Sequence, residues 1–252
     1  MLIDDGVTAE LERVVELSPL QNRPALQALQ DAQRALPGVP HAAVFDTAFH
    51  ATIPAEAATY ALPERWRGEI RRYGFHGLSV AWAAEQVQVP RLVVCHLGGG
   101  CSVTAVRDGR SVDTTMGFTP LEGVPMVTRS GSVDPGALLH LLRHGVSLDE
   151  LDHALEHESG IFALAGTKDV READGLALDI FTYRVAQAVA SMAVALGGLD
   201  ALAFTAGIGE HSQPIRDRIV ERLAFLDAFA VHVVRAREDV VIARAVRALV
   251  SV

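Results

Sequence analysis

The stretch RLVVCHLGGGCSVTAVRDGRSVDTT, residues 91–115, decides the fold of this chain. An apolar strand leads into three consecutive glycines, residues 98–100, and a second strand follows. The pair Asp108-Gly109 then predicts a hairpin, because both central residues of such a turn need a positive φ. Consecutive glycines weaken a strand unless a ligand approaches the backbone closely, and converging N–H groups bind phosphate in this way. The stretch therefore predicts a strand, a phosphate-binding turn and a hairpin, with a simple glycine bulge as the alternative.

A second glycine-rich segment is FTAGIGE, residues 204–210, which lies between an apolar strand and a helix. Backbone amides at such a junction favour an anion or a nucleotide. The glycines lack the spacing of the dinucleotide-binding fingerprint, and no lysine follows them as in a P-loop. A tight turn between strand and helix is the alternative for this segment alone. Two glycine-rich turns at the ends of two strands favour a nucleotide cleft between them.

The composition indicates a globular protein and argues against a nucleic-acid partner. Hydrophobic residues make up 50% of the 252 residues, which supports a substantial core, and the formal net charge is −9. The two cysteines, Cys95 and Cys101, fit no zinc spacing and suit a reducing compartment. We see no signal peptide, and the longest uncharged stretch, residues 185–199, is too short to cross a bilayer. We therefore expect a soluble, cytoplasmic protein without a membrane partner.

Hydrophobic periodicity and capping signals predict alternating strands and helices. The longest predicted helix, residues 176–196, is apolar on more than one face and should be largely buried. The other predicted helices cover residues 8–17, 24–36, 79–87, 134–143, 147–160, 212–226 and 238–249, and the other predicted strands cover residues 41–45, 199–205 and 231–234. This alternation indicates an α/β layer fold.

Three side chains outside the glycine turns could carry chemistry. Arg129 lies between small residues in a loop, where its planar guanidinium suits a phosphoryl group, and a structural salt bridge is the alternative. Asp46 ends a predicted buried strand, so its carboxylate needs a partner, and an arginine would serve both structure and catalysis. His76 lies among aromatic residues and glycines, which fits either a ligand-contacting loop or a structural histidine.

Two histidine pairs have the i, i+4 spacing of one helix face, His140 with His144 and His153 with His157. Such a pair can bind a metal ion. Neither pair has a carboxylate placed as in the HExxH motif. We therefore favour the interpretation that both pairs face solvent.

Six motifs occur in the order and at the spacing of one protein family. They are FDTAFH (45–50), RRYGFHG (71–77), CHLGGG (95–100), DTTMGFTPLEG (113–123), TRSGSVDP (128–135) and FTAGIGE (204–210). Together they closely resemble the acetate kinases, a family that belongs to the acetate and propionate kinase branch of the sugar kinase/Hsp70/actin superfamily. The resemblance implies an α/β fold of the actin-like ATPase (ribonuclease H-like) type, with the mixed sheet of the C-terminal lobe flanked by helices and a remnant of the N-terminal lobe.

The resemblance implies reversible transfer of the γ-phosphoryl group of ATP to acetate or another short-chain carboxylate, with Mg²⁺, giving acetyl phosphate or its analogue and ADP. Arg129 and His76 would stabilise the transferring group, and Asp46 would orient an arginine and the acyl substrate. Glu238 would be the Mg²⁺ ligand. The nucleotide would be held at its phosphates by His96, Leu97, Gly98, Gly99 and Gly100, and at its adenosine by Asp169, Val170, Arg171, Gly207, Ile208, Gly209, Glu210 and His211. Family members pair through the C-terminal lobe, so we expect a homodimer.

The resemblance also divides the chain. Residues 1–45 match a remnant of the N-terminal lobe, residues 46–234 the C-terminal nucleotide-binding lobe, and residues 235–252 a C-terminal helix that returns to the N-terminal lobe. Most of that lobe is expected to be missing, together with a magnesium and phosphate loop and a second arginine. Within the retained region, Gln21 replaces a histidine, Leu78 and Val80 replace polar residues, and Gly99 replaces an asparagine. The family's PTNEE is RARED at residues 235–239, and a stretch before it, between residues 226 and 231, is shortened.

These departures leave two functional interpretations. One is a functional kinase or its remnant, with a start codon assigned too late, and the other is a degenerate, non-catalytic nucleotide-binding protein. Losing an arginine and a phosphate loop should cost transition-state stabilisation, so we expect weak or no kinase activity from the 252-residue chain. The sequence does not choose among acetate, propionate and butyrate. Without their lobe, the first 45 residues and the last helix should expose apolar surface.

Overall fold

The computed structural model describes residues 1–15 and 19–250 of the chain. At its centre is a five-stranded sheet in the order β3-β2-β1-β4-β5. The strands are β1 (Arg91–Leu97), β2 (Cys101–Arg107), β3 (Arg110–Thr114), β4 (Ala201–Thr205) and β5 (Ala230–Val233). Strands β1, β2 and β3 are antiparallel neighbours, whereas β4 runs parallel to β1 and β5 runs parallel to β4. The α/β fold with a mixed sheet that the sequence predicts is therefore confirmed.

Helices flank this sheet and extend beyond it. They are α1 (Asp5–Arg13), α2 (Pro19–Ala35), α3 (Ala55–Ala58), α4 (Glu64–Arg67), α5 (Gly77–Gln86), α6 (Pro135–Arg143), α7 (Leu148–His157), α8 (Gly160–Ala165), α9 (Gly175–Leu196), α10 (Ala206–His211), α11 (Gln213–Glu221) and α12 (Glu238–Val250), with a 3₁₀ helix at Ala48–Thr52. In the ranges 1–15 and 19–250, no helix combines the length and the apolarity that crossing a bilayer requires.

The hairpin predicted from Asp108-Gly109 is confirmed. Asp108 has a φ of 48° and Gly109 a φ of 77°, and the flanking residues Arg107 and Arg110 face each other as strand partners. Because positive φ at both turn positions is a local requirement, the sequence alone is enough to place this turn.

Strand β1 is buried on both faces, so the sheet has two apolar cores. On one face, Val93 and Cys95 pack with Phe181 and Val185 of the long helix α9. The alternate residues of β1 point to the opposite face, where they pack against α5. Because helices pack on both faces, the end of β1 is held in one position, and the glycine turn that follows it is held there too.

The predicted strand at residues 41–45 is wrong. Only an isolated bridge forms there, between Ala42 and Leu2, and the surrounding bonds join Ile3 to His41 and Ala43 to Met1. The segment is extended but pairs with the first residues of the chain and not with the sheet, so it has too few partners to form a ladder.

The helix predicted at residues 147–160 is divided in two. Helix α7 ends at His157, and Ser159 is extended before Gly160, with a φ of 63°, begins α8. A β-carbon on Gly160 would lie 2.2 Å from the carbonyl oxygen of Met126, so the break lets this corner approach a distant loop. Of the helix predicted at residues 8–17, the structure has α1, and residues 16 and 17 lie outside the described ranges.

The last helix is attached to the sheet through α5. Trp82 donates a hydrogen bond of 2.9 Å to the carbonyl oxygen of Arg235, and Arg244 pairs with Glu85 at 2.7 Å. Apolar side chains are exposed in both terminal segments, as expected; they include Leu2, Leu36, Val39, Ile242 and Val250. The division of the chain into three parts stays a prediction.

Candidate functional site

The two glycine-rich turns follow neighbouring parallel strands. Residues 98–100 follow β1, and α10 follows β4, so both turns lie at the same edge of the sheet. The turns are close, because a β-carbon on Gly98 would lie 3.4 Å from that of Ala206. Ala206 itself has a positive φ of 64°. The carboxyl ends of parallel strands are the edge at which α/β sheets bind ligands.

One cavity of about 690 Å³ lies against both turns. Its lining includes eight residues that the family resemblance assigns to the nucleotide: Gly98, Gly99, Asp169, Val170, Arg171, Gly207, Ile208 and His211. No atom lies within 4 Å of the position that a β-carbon would take on Gly99 or on Gly207. Both glycines therefore leave backbone open to the cavity, as a phosphate-binding turn requires.

Other assigned nucleotide residues do not line this cavity. Leu97 is fully buried in the core, and Gly209 packs toward Phe204 and the carbonyl oxygen of Cys95. The carboxylate of Glu210 accepts a hydrogen bond of 2.9 Å from the backbone N–H of Ala236. Leu97 and Gly209 therefore shape the turns, and Glu210 holds the segment that leads into α12.

Asp169 and Arg171 form one rigid unit at the rim of the cavity. The guanidinium Nε of Arg171 donates to Oδ1 of Asp169 at 2.8 Å, and the backbone N–H of Arg171 donates to the same oxygen at 3.0 Å. These hydrogen bonds lower the pKa of Asp169 to about 2. The charge of Arg171 is therefore already paired within the loop.

His76 and Arg129 converge on the first turn. A β-carbon on Gly100 would lie 3.1 Å from Nε2 of His76 and 3.2 Å from Nη2 of Arg129. Any side chain larger than hydrogen on Gly100 would therefore press against both groups. This glycine is needed because two polar side chains meet over the backbone there.

The imidazoles of His76 and His96 stack, with ring centroids 4.0 Å apart and planes inclined by 18°. Nδ1 of His76 is hydrogen-bonded to the Ser102 hydroxyl at 3.0 Å, and Nδ1 of His96 to the Ser79 hydroxyl at 2.9 Å. Burial, and then the nearby charge of Arg129, lower the pKa of His76 to about 3. Burial, followed by His76, lowers the pKa of His96. Both rings are neutral near pH 7, so they can donate or accept a proton but supply no positive charge.

His50 is a positioning residue that the sequence alone does not identify. Its Nε2 donates to the carbonyl oxygen of Phe75 at 2.9 Å, which leaves Nδ1 to accept from the Ser111 hydroxyl at 2.9 Å. A β-carbon on Gly74 would lie 2.7 Å from the His50 ring. His50 thus fixes the backbone just before His76, whose own φ of 60° is left-handed.

Arg129 is 8% exposed and is held on two sides. Nη1 donates to the carbonyl oxygen of Pro120 at 2.9 Å, and Nε lies 3.6 Å from Oε2 of Glu156. Burial raises the pKa of Glu156, and the charge of Arg129 opposes that rise. The loop before Arg129 is fixed by α8, because the N–H groups of Ile161 and Phe162 donate to backbone carbonyls of this loop. Arg129 therefore has a structural ion pair and also faces the glycine turn.

Asp46 caps α5 through the backbone amides at the start of that helix. Its carboxylate accepts from the backbone N–H of His76 at 2.6 Å and, more weakly, from that of Leu78 at 3.4 Å. Its carbonyl oxygen accepts from Gly77 at 2.8 Å. No ion pair of Asp46 occurs in the described part of the chain, because orphan amides at the start of α5 satisfy the carboxylate instead.

Glu238 is half-buried in the first turn of α12, and burial followed by the charge of Asp46 raises its pKa. Within residues 1–15 and 19–250 no three His, Cys, Asp or Glu side chains are grouped to hold a metal ion. The pairs His140/His144 and His153/His157 are exposed, in agreement with the solvent-facing interpretation. Of the substituted positions, Val80 lies in the core, and the side chain of Gln21 is outside the described residues.

The fold and the site together define a class: a protein of the actin-like ATPase fold whose glycine turns open on one cavity. Comparison with known proteins gives the family. The model of the acetokinase family matches residues 1–248, and the chain belongs to that family.

Named relatives are acetate and propionate kinases. The chain is 45% identical over 243 residues to an acetate kinase of Protochlamydia amoebophila, an alignment covering 90% of this chain and 62% of the relative. It is 48% identical over 248 residues to an acetate kinase of Deinococcus deserti, covering 89% and 62%. A propionate kinase structure from Francisella tularensis superposes with a TM-score of 0.91 at 36% identity, covering 97% of this chain and 73% of that one. The chain thus spans about three fifths of the length of the curated relatives it matches.

The buried histidines make stability depend on pH. Above pH 6.5, the pKa of an ordinary histidine, His76 is neutral in both the folded and the unfolded chain. Between pH 6.5 and the folded pKa of about 3, the unfolded chain binds a proton at His76 that the folded chain does not. Stability is therefore lost as the pH falls, by about 1.4 kcal/mol per pH unit for each such histidine. We expect His76→Asn to flatten the decline of unfolding free energy, measured by urea titration between pH 6.5 and pH 5. The exposed His140→Asn variant should keep the parent slope, and equal slopes for all three proteins would contradict the burial of a neutral His76.

Proposed function

We propose that the chain binds MgATP in the cavity between its glycine turns and transfers the γ-phosphoryl group to acetate or another short-chain carboxylate. The observation that carries this proposal is the convergence of His76 Nε2 and Arg129 Nη2 on Gly100, beside a cavity lined by both turns. Membership of the acetokinase family and the names of its relatives support the same chemistry.

Phosphoryl transfer by direct attack needs positioning and charge neutralisation more than covalent chemistry. A carboxylate oxygen forms the new bond to phosphorus while the bond from phosphorus to the departing ADP oxygen breaks. The rigid guanidinium of Arg129 can neutralise charge on the equatorial oxygens of the transferring group. Neutral His76 can donate one hydrogen bond to it, since its other ring nitrogen is engaged by Ser102.

The two carboxylates that we assign to the site are those of Asp46 and Glu238. Mg²⁺ uses one or two carboxylates together with substrate phosphates, which fits a half-buried Glu238 near the charge of Asp46. Glu238 would hold the ion, which when bound would supply positive charge that neutralises the nucleotide phosphates. Asp46 would mainly position His76, because its carboxylate receives the backbone N–H of that residue.

We further propose a cytoplasmic homodimer with the three-part division of residues 1–45, 46–234 and 235–252. Buried thiols at Cys95 and Cys101, neither in a disulfide, suit a reducing compartment. Leu176 and Val194 of α9 are 69% and 82% exposed, so apolar area for pairing is available on the C-terminal part.

Nucleotide binding without transfer is the second candidate function. It is favoured by the state of Asp46, whose carboxylate meets backbone amides and, in the described residues, no arginine. The residues assigned to nucleotide binding are thus better arranged for their role than Asp46 is for orienting an acyl substrate. For this reason we propose that these 252 residues turn over slowly by themselves.

Closing the cavity at the first turn should weaken nucleotide binding. Gly99 has no neighbour within 4 Å of a β-carbon and lines the cavity, so Gly99→Val should place methyl groups where the phosphates bind. We expect the Kd for MgATP, measured by calorimetry, to rise about tenfold or more, since overpacking costs about 1–3 kcal/mol. Gly68→Val, at an equally open position outside the cavity, is the matched control. An unchanged Kd in Gly99→Val would show that the bound phosphates do not approach the backbone of Gly99.

Replacing Arg129 should slow transfer more than it weakens binding. The transfer rate is measured in the direction of ATP formation, because luciferase detects small amounts of ATP made from ADP and acetyl phosphate. We expect Arg129→Ala and Arg129→Lys to lower kcat about 100- to 1,000-fold, as loss of one transition-state donor does, because neither keeps the guanidinium fork. The control is Arg143→Ala, at an exposed position of α6.

Three results would each contradict part of the proposed function. An unchanged kcat in both Arg129 variants would remove the residue from the chemistry. If the parent chain binds ADP with micromolar or better affinity yet forms no ATP, the binding-only function is correct. A parent rate equal to that of a full-length family member would instead contradict slow turnover.

A further inference from the structure

Lys168 is the only lysine among the 252 residues. It is exposed, lies in the loop between α8 and α9, and lines the same cavity as both glycine turns. The ammonium nitrogen lies 5.2 Å from the centroid of the Phe162 ring. This contact holds the side chain loosely and leaves the three ammonium protons without a fixed acceptor.

Two arginines near the cavity are already engaged by other groups of the protein. Arg171 is bound to Asp169, and Arg216 donates to the carbonyl oxygens of Gly209 and Glu210 at 2.9 Å. In the described part of the chain Lys168 takes part in no ion pair, and the nearby Glu172 is occupied by the hydroxyl of Thr167 at 2.9 Å. The ammonium group of Lys168 is therefore held in no ion pair and can turn toward a ligand in the cavity.

A negative ligand is the chemical match for this arrangement. The chain has a net charge of −9, which as a whole disfavours anions, and the cavity offers open backbone at Gly99 and Gly207. Neither glycine turn is followed by a lysine, although P-loop proteins place one there to reach the phosphates. A flexible ammonium on a facing loop can serve the same purpose, because its charge does not depend on a fixed geometry.

We propose that Lys168 contacts the polyphosphate of the bound nucleotide and makes affinity rise with the number of phosphates. This inference rests on the proposed nucleotide site and assigns to it a residue that the motifs do not. A lysine in this role discriminates nucleoside triphosphates and diphosphates from the nucleoside. It leaves recognition of the base to the remainder of the cavity.

The test is a ligand series on the whole chain. Adenosine, AMP, ADP and ATP are titrated calorimetrically into the parent protein, Lys168→Met and Lys168→Arg. For Lys168→Met we expect no loss with adenosine and a progressive loss that reaches about tenfold or more with ATP, the effect of one charge-assisted hydrogen bond. Lys168→Arg should restore most of the ATP affinity. Arg143→Met removes one positive charge from exposed α6 and should leave the whole series unchanged.

A spectroscopic readout uses the single lysine directly. Reductive methylation with ¹³C-formaldehyde keeps the positive charge and labels Lys168, while any labelled α-amino group titrates at lower pH and is thereby distinguished. ADP and ATP should shift the dimethyl-lysine resonance, and adenosine should not.

The outcomes separate this inference from the proposed function. If the parent binds ATP but Lys168→Met loses equal affinity for adenosine and ATP, the lysine contacts the nucleoside and the proposal is wrong. If no affinity is lost and no resonance shifts, Lys168 has no role, while the nucleotide site stands. If the parent binds none of the four ligands, the proposed function fails and this inference fails with it.

Discussion

The site depends on the burial of β1 on both faces. Because α9 packs on one side of the sheet and α5 on the other, the strand cannot shift without opening a core. Its last residue, Leu97, is fully buried, so residues 98–100 emerge from the sheet at a fixed point. Antiparallel β2 and parallel β4 then fix that turn from two sides. The position of the glycine backbone is thus set by packing.

The same packing decides where positive charge can come from. His76 and His96 are stacked and desolvated, so both imidazoles are neutral near pH 7. Charge at the first turn must therefore come from Arg129, and charge in the cavity from Lys168. Asp46 fixes the position of His76, because its carboxylate caps α5 by accepting the backbone N–H of His76. One carboxylate thereby couples the start of α5 to the backbone position of His76.

Features set by local requirements could be predicted from the sequence. The Asp108-Gly109 hairpin follows from backbone dihedrals, and both glycine turns follow from apolar strands. The sequence also predicts the long helix α9, but this helix buries one face and is not largely buried as the sequence suggests. Other features depend on contacts between distant segments. Gly160 breaks a predicted helix because the loop that carries Arg129 approaches it, a contact with no local signal.

The sequence also does not predict the partner of Asp46 or the stacking of His76 on His96, because each contact joins residues that lie far apart in the chain. Lys168 could have been noticed as a single lysine, but its place beside the glycine turns needed the fold.

The most direct test of this account is a crystal structure of the chain with MgADP, aluminium fluoride and acetate. We expect the nucleotide in the cavity of about 690 Å³, with the aluminium fluoride within hydrogen-bond distance of Arg129 Nη2 and His76 Nε2 over Gly100. A nucleotide bound elsewhere, or an aluminium fluoride group that contacts neither side chain, would contradict it.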